Sequence, residues 1–152
     1  MNEHDKTTVI LMAEDDADDR LLVQDALTES AWRGDLRFVQ NGEDLLDYLF
    51  RRGPYAPPAE APRPGLILLD LNLPRKDGRE ALREIKADSI LRRIPVIVMT
   101  TSKADTDIAA LYDLGANSFI SKPAQFDALV NVMKSVRQYW FKTVELPATK
   151  QS

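Results

Sequence analysis

Four short, mainly apolar runs punctuate the chain: VILMA (Val9 to Ala13), LILLD (Leu66 to Asp70), PVIVMT (Pro95 to Thr100) and SFIS (Ser118 to Ser121). A weaker one, LRFV (Leu36 to Val39), lies between the first two. None alternates cleanly between apolar and polar residues, as expected of parallel strands covered on both faces. The segments between them carry apolar residues at helical spacing. Asp18 to Ser30 holds Leu21, Leu22, Ala26 and Leu27, and Glu43 to Arg51 holds Leu45, Leu46, Leu49 and Phe50. Arg79 to Ala87 holds Ala81, Leu82 and Ile85, and Asp105 to Leu114 holds Ile108, Leu111, Tyr112 and Leu114. A last helix is predicted from near Gln125 to beyond Arg137. Strand and helix alternate five times, which predicts a doubly wound α/β fold around a parallel sheet.

One segment breaks the rhythm. RRGPYAPPAEAPRPG (Arg51 to Gly65) contains five of the nine prolines, so it reads as a stiff surface loop spacing the second helix from the third strand. The chain has 152 residues, enough for one domain with a full core. Its 20 basic and 24 acidic residues leave a net charge of −4, which argues against a nucleic-acid binder. The absence of cysteine excludes disulfides and thiolate chemistry, and the single histidine, His4 in the polar leader, leaves no triad or histidine-rich zinc site. No run is long enough for a membrane span, and no signal peptide is recognised, so the expected setting is cytoplasmic.

The ends of the predicted strands carry the chemistry. The first ends in Glu14-Asp15-Asp16, the third in Asp70, the fourth in Thr100-Thr101-Ser102, and the fifth is followed by Lys122-Pro123. Ligands of open parallel sheets bind at these carboxyl ends. Taken singly, such residues serve as helix caps: Asp16 or Asp18 for the first helix, Ser102 or Asp105 for the fourth. Together, crowded acids repel one another unless a cation joins them, and a purely oxygen donor set suits Mg²⁺ or a similar hard ion. A hydroxyl and a lysine beside that ion complete a pocket for a phosphoryl group, with Asp70 placed as its acceptor.

The set AEDD, LLDLNLPRKDG, VMTTS and SKP, in this order after these strands, resembles the receiver domain of two-component response regulators over roughly residues 8 to 140. The resemblance implies a flavodoxin-like (βα)5 fold with strand order 2-1-3-4-5. It implies phosphorylation of Asp70 by a sensor histidine kinase, with Mg²⁺ (or Mn²⁺) held by Glu14, Asp15, Asp70 and the backbone carbonyl of Asn72. Thr100 and Lys122 would bind the phosphoryl oxygens, Pro123 would follow a cis peptide bond, and Phe119 would stand at the switch-aromatic position. Phosphorylation would draw Thr100 toward the phosphoryl oxygens, let Phe119 turn inward behind it, and reshape the surface of helix 4, strand 5 and helix 5. Pro74 is read as turning the chain aside after the third strand, and Gly78 as permitting the bend before the next helix. Such a protein carries a signal, with slow self-dephosphorylation, and is not a conventional enzyme.

The domain reading is a leader at 1–7, a receiver at 8–138 and a C-terminal arm at 139–152, with output by binding. In the last helix, Phe126, Leu129, Val130, Met133, Val136 and Trp140 form a stripe suited to the sheet. Val132, Tyr139, Phe141, Val144 and Leu146 fall outside it and are expected at an interface. The ending YWFKTVELP and the proline-rich insert resemble the small response regulators associated with bacterial phytochromes. That likeness implies a bacteriophytochrome as sensor and a homodimer through the fourth and fifth helices, with Tyr139, Trp140, Phe141, Val144 and Leu146 as its arm. Three rival readings fit the residues less well. Haloacid-dehalogenase-like phosphatases need an acid where Asn72 stands. A flavodoxin-type binder needs a phosphate loop where the acidic EDDADD stands. A phosphorylation-independent interaction module would leave every site residue unused.

Overall fold

The computed structural model describes residues 8–147 apart from positions 33, 72, 101–104 and 144. The leader, Asn72, Ser102, Val144 and the end of the tail therefore lie outside the described residues. Five strands, β1 (Val9–Ala13), β2 (Asp35–Val39), β3 (Leu66–Leu69), β4 (Val96–Thr100) and β5 (Ser118–Ser121), pair in parallel in the order β2-β1-β3-β4-β5. They alternate with helices α1 (Ala17–Glu29), α2 (Gly42–Phe50), α3 (Gly78–Ala87), α4 (Asp105–Asp113) and α5 (Phe126–Gln138).

The three central strands are buried at every position, whereas β2 and β5 at the edges are largely half-exposed. Their side chains do alternate, but between two apolar layers. Leu11, Ala13, Ile67, Leu69 and Val98 join Leu46 of α2, Leu82 of α3 and Leu111 of α4 in one core. Ile10, Met12, Leu68 and Met99 join Val23 and Leu27 of α1 and Leu129, Met133 and Val136 of α5 in the other. An apolar run with no polar face is thus the signature of a strand sandwiched between helical layers.

The proline-rich loop does more than span a gap. Tyr48 of α2 donates a hydrogen bond to the Pro62 carbonyl at 2.7 Å, and Tyr55 within the loop donates to Asp44 Oδ1 at 2.9 Å. The two rings meet edge-on, and Ala61 is buried beneath them in the α2–α3 core.

The C-terminal stripe needs correction. Leu129, Met133 and Val136 are buried as expected, but Phe126 stays exposed at the first position of α5. After Gln138 the chain winds into a π-helical turn, Tyr139–Thr143. A π turn takes more residues than an α turn and shifts the phase of everything after it. Phe141, expected at an external interface, is instead buried at 3% exposure, its ring 4.6 Å from that of Trp32. Trp32 is held just beyond α1 by its backbone bond to the Leu27 carbonyl at 2.9 Å. Trp140, Val132 and Leu146 are partly buried against the same core, while Tyr139 is half exposed.

Candidate functional site

The carboxyl edge of the sheet is built by its own ladder. Asp70 lies one residue past β3, and its N–H still donates to the Ala13 carbonyl at 3.1 Å, which sets it beside the end of β1. The Glu14 N–H continues in the same manner to the Val39 carbonyl of β2 at 3.0 Å. These two backbone bonds bring together acids 56 positions apart in the chain. Oxygens of Glu14, Asp15 and Asp70 lie within 4.8 Å of one another. Glu14 and Asp70 are buried, and Asp15 is exposed at the mouth.

Asp16, next in the run, is spent on structure. Its Oδ1 accepts hydrogen bonds from the Asp18 and Asp19 N–H groups at 2.8 and 3.2 Å, capping α1. The cap aims the first turn of α1 across the edge and sets Asp19 against the site.

Lys122 enters from the other side. Its backbone N–H donates to the Thr100 carbonyl at 2.9 Å, so the lysine leaves the end of β5 next to the end of β4. The ammonium donates to Glu14 at 2.6 Å, Asp19 at 3.1 Å and Asp70 at 3.3 Å. Burial alone would lower the lysine pKa, but its carboxylate partners overcome this and hold it above the ordinary value. Burial pushes Glu14 up to about 7; its hydrogen bond from Lys122 opposes this and the Asp70 charge adds to it. Thr100 is wholly buried at the end of β4.

Beyond Asp70 two glycines lie against the backbone of the loop. A Cβ on Gly78, where α3 begins, would lie 2.7 Å from the Asp70 carbonyl oxygen and 2.9 Å from the Leu71 Cα. A Cβ on Gly42, at the start of α2, would strike the Lys76 carbonyl in the same loop. Gly78 therefore serves close approach, since no special turn conformation is needed there. β3 pairing ends at Leu69, five residues before Pro74, which lies exposed in the loop. Pro74 bars further strand, yet the turn has begun by then. The expected cis bond before Pro123 is also corrected: the cis peptide among the described residues is Pro57–Pro58. Proline only narrows the trans preference, to about 0.5–1 kcal/mol, and does not reverse it.

Phe119 on β5 packs against the α2–α3 core and donates its backbone N–H to the Tyr112 hydroxyl at 3.2 Å. With Tyr112, Val132, Tyr139 and Trp140 it lines a groove of about 510 Å³ on the β5–α5 face.

An acidic triad at the ends of β1 and β3, a buried threonine ending β4, and a lysine after β5 all meet at one sheet edge. Residues 10–134 match the response regulator receiver domain family. The chain belongs to this family. The receiver is 41% identical over 147 residues to response regulator Rcp1 of Synechocystis sp., covering 97% of this chain and 98% of that protein. It is similar in structure to the phosphorylated cyanobacterial phytochrome response regulator RcpA, with TM-score 0.85 and 42% identity over 93% of this chain and 99% of that one. It is likewise similar to response regulator RPA3017 in red light signaling of R. palustris, with TM-score 0.88 and 37% identity over the same shares of each chain. The Mn²⁺-bound form of Rcp1 gives TM-score 0.84 with 42% identity, covering 93% and 99%.

The residues of this receiver fit a divalent cation. Its donors are all carboxylate oxygens within 4.8 Å, and one of them is a buried acid poised near neutrality with a single ammonium for company. Sequence reasoning overlooked Asp19 and Gly42. The signal for Asp19 was its place three residues after Asp16, in the first turn of α1, which is meaningful only once Asp16 is known to cap that helix. For Gly42 there was none, because its partner Lys76 is distant in the chain.

Proposed function

We propose that this receiver accepts a phosphoryl group on Asp70 from a phosphorylated histidine of a sensor kinase, in a reaction that requires Mg²⁺ or Mn²⁺. The observation that carries it is the Lys122 ammonium reaching both Asp70 and Glu14 at the mouth of an all-oxygen cluster. Glu14, Asp15 and Asp70 would hold the ion, with the Asn72 carbonyl expected as a further ligand. When bound, it supplies charge neutralisation for the transferring phosphoryl oxygens.

An Asp70 oxygen attacks phosphorus, the P–N bond to the kinase imidazole breaks, and an O–P bond forms. The imidazole keeps the electron pair and takes a proton. The new phosphoryl group brings nearly two negative charges into a half-closed pocket. Lys122 turns its donors from the free carboxylates toward the phosphoryl oxygens, and Thr100 contributes its hydroxyl. Movement of Thr100 frees space behind β4, into which the Phe119 ring turns, and the α4–β5–α5 surface changes shape. Phe119 has no hydroxyl, so its inward position rests on packing. Attack of water on phosphorus later returns Asp70 and inorganic phosphate, which makes the protein a timed signal and not a turnover enzyme.

The sensor is proposed to be of phytochrome type, an inference supported by likeness along nearly all of this chain to RcpA, a cyanobacterial phytochrome response regulator, and to RPA3017, a response regulator in red light signaling. Residues 8–138 are read as the receiver, and 139–152 as an arm in a homodimer formed through α4 and α5. Tyr139, Trp140 and Leu146, with Val144, supply its contact surface. Phe141 acts as the internal root from which the arm leaves.

The test is incubation of the full chain with Mg²⁺ and acetyl phosphate, followed by intact mass. A base-labile phosphate adduct on wild type and none on Asp70→Asn is the expected outcome. An adduct that persists on Asp70→Asn overturns the assignment of Asp70, and no adduct on wild type favours the phosphorylation-independent module.

A further inference from the structure

Lys122 has three N–H donors, and each serves a different carboxylate: Glu14 at 2.6 Å, Asp19 at 3.1 Å and Asp70 at 3.3 Å. Two of the three belong to the oxygen cluster at the ends of β1 and β3, whose members lie within 4.8 Å of one another. Asp19 does not. It stands on the first turn of α1, its backbone N–H fixed by the Asp16 side chain at 3.2 Å and its side chain 37% exposed.

That division has an electrostatic consequence. An ion that takes Glu14 and Asp70 removes two of the lysine's partners and brings a second positive charge close to its ammonium. The remaining partner is Asp19. It offsets the lysine charge from outside the cluster and keeps the side chain from swinging into solvent, where it would be lost to Asp70. We infer that Asp19 is a positioning residue: it takes over the Lys122 ammonium when a divalent cation claims Glu14 and Asp70, keeps the lysine within reach of Asp70, and by offsetting its charge favours binding of that cation. The inference rests on the cation reading of the cluster given above.

Asp18 provides an internal control. It is exposed on the same turn, its backbone N–H is bonded to the same cap at 2.8 Å, and its neutralisation removes the same formal charge. The side-chain bond to Lys122 is made by Asp19, at 3.1 Å.

Mn²⁺ affinity is measured by calorimetry on the full chain for wild type, D19N, D18N and D19E, and for K122M with and without D19N. D19N is expected to bind Mn²⁺ at least about fivefold more weakly, D18N within about twofold of wild type, and D19E to recover most of the loss. In the K122M background D19N is expected to shrink to the D18N effect, because Asp19 acts through the lysine. Equal effects of D19N and D18N overturn the inference, as does a D19N effect of the same size without Lys122. Wild type that takes up no Mn²⁺ overturns the cation reading and this inference with it. Wild type that binds while D19N binds equally well overturns this inference alone. Thermal melts of each variant identify loss of fold, and the D19E recovery separates charge placement from helix damage.

Discussion

Lys122 Nζ lies 2.6 Å from Glu14 Oε1, closer than it lies to Asp70, and Glu14 is 1% exposed. Before any phosphoryl group arrives, the lysine is the counterion of a buried glutamate. Removing one member of such a pair strands the other. Lys122→Ala is expected to cost about 3 kcal/mol of stability at pH 8 and clearly less at pH 5, where Glu14 is protonated in either protein. Urea unfolding at the two pH values checks it.

The same glutamate sets a pH dependence. Its folded pKa of about 7 stands above the ordinary 4.5, with burial as the main cause. Between these values the folded protein keeps a proton that the unfolded chain has released, so unfolding free energy falls as pH rises. The contribution is fully present below about pH 4.5 and is lost as pH passes through about 7. Urea midpoints of the ion-free protein are expected to fall from pH 5 to pH 8. Glu14→Gln is expected to flatten that slope, and saturating Mg²⁺ to raise the midpoint at pH 8.

Gly78 is the seat of a close approach, where a Cβ would lie 2.7 Å from the Asp70 carbonyl oxygen. Both the oxygen and the Leu71 Cα behind it are backbone, so relief requires the Asp70 loop itself to move. Gly78→Ala is expected to lose about 1–3 kcal/mol and to slow labelling of Asp70 by acetyl phosphate. Thermal melts and timed intact-mass measurements report the two effects.

Phe141 and Tyr139, two residues apart, are expected to behave oppositely. Phe141→Ala removes a buried ring from Trp32 and should cost about 3 kcal/mol, with the Trp32 emission shifting to the red. Tyr139→Ala, at a residue 51% exposed, should change stability by less than about 0.5 kcal/mol while weakening self-association. Denaturant melts followed by fluorescence, together with sedimentation velocity, distinguish them.

Particular elements show why some features could be read in advance. LILL declared itself as a central strand because all four residues are buried, two on each face. The helix over Arg79 to Ala87 could be read from Ala81, Leu82 and Ile85, all of them wholly buried. A constant helical period puts Phe141 outside the buried stripe, but the winding changes at Tyr139–Thr143 and turns it inward. Of the two cap candidates in the sequence, Asp16 and Asp18, the fold uses Asp16, and that cap decides which later acid, Asp19, reaches Lys122.

By itself the sequence determined the layered parallel fold, the edge at which chemistry gathers, and the residue types gathered there. Burial and periodicity are local properties, and the order of motifs after successive strands is carried along the chain. Only the tertiary structure decided how the charges are shared: one ammonium among three carboxylates, one buried acid lifted toward neutrality, one glycine pressed against the Asp70 backbone, and one aromatic of the C-terminal turn folded onto Trp32. Those outcomes depend on distances between residues far apart in sequence and on the exclusion of water between them, and neither is written in local pattern.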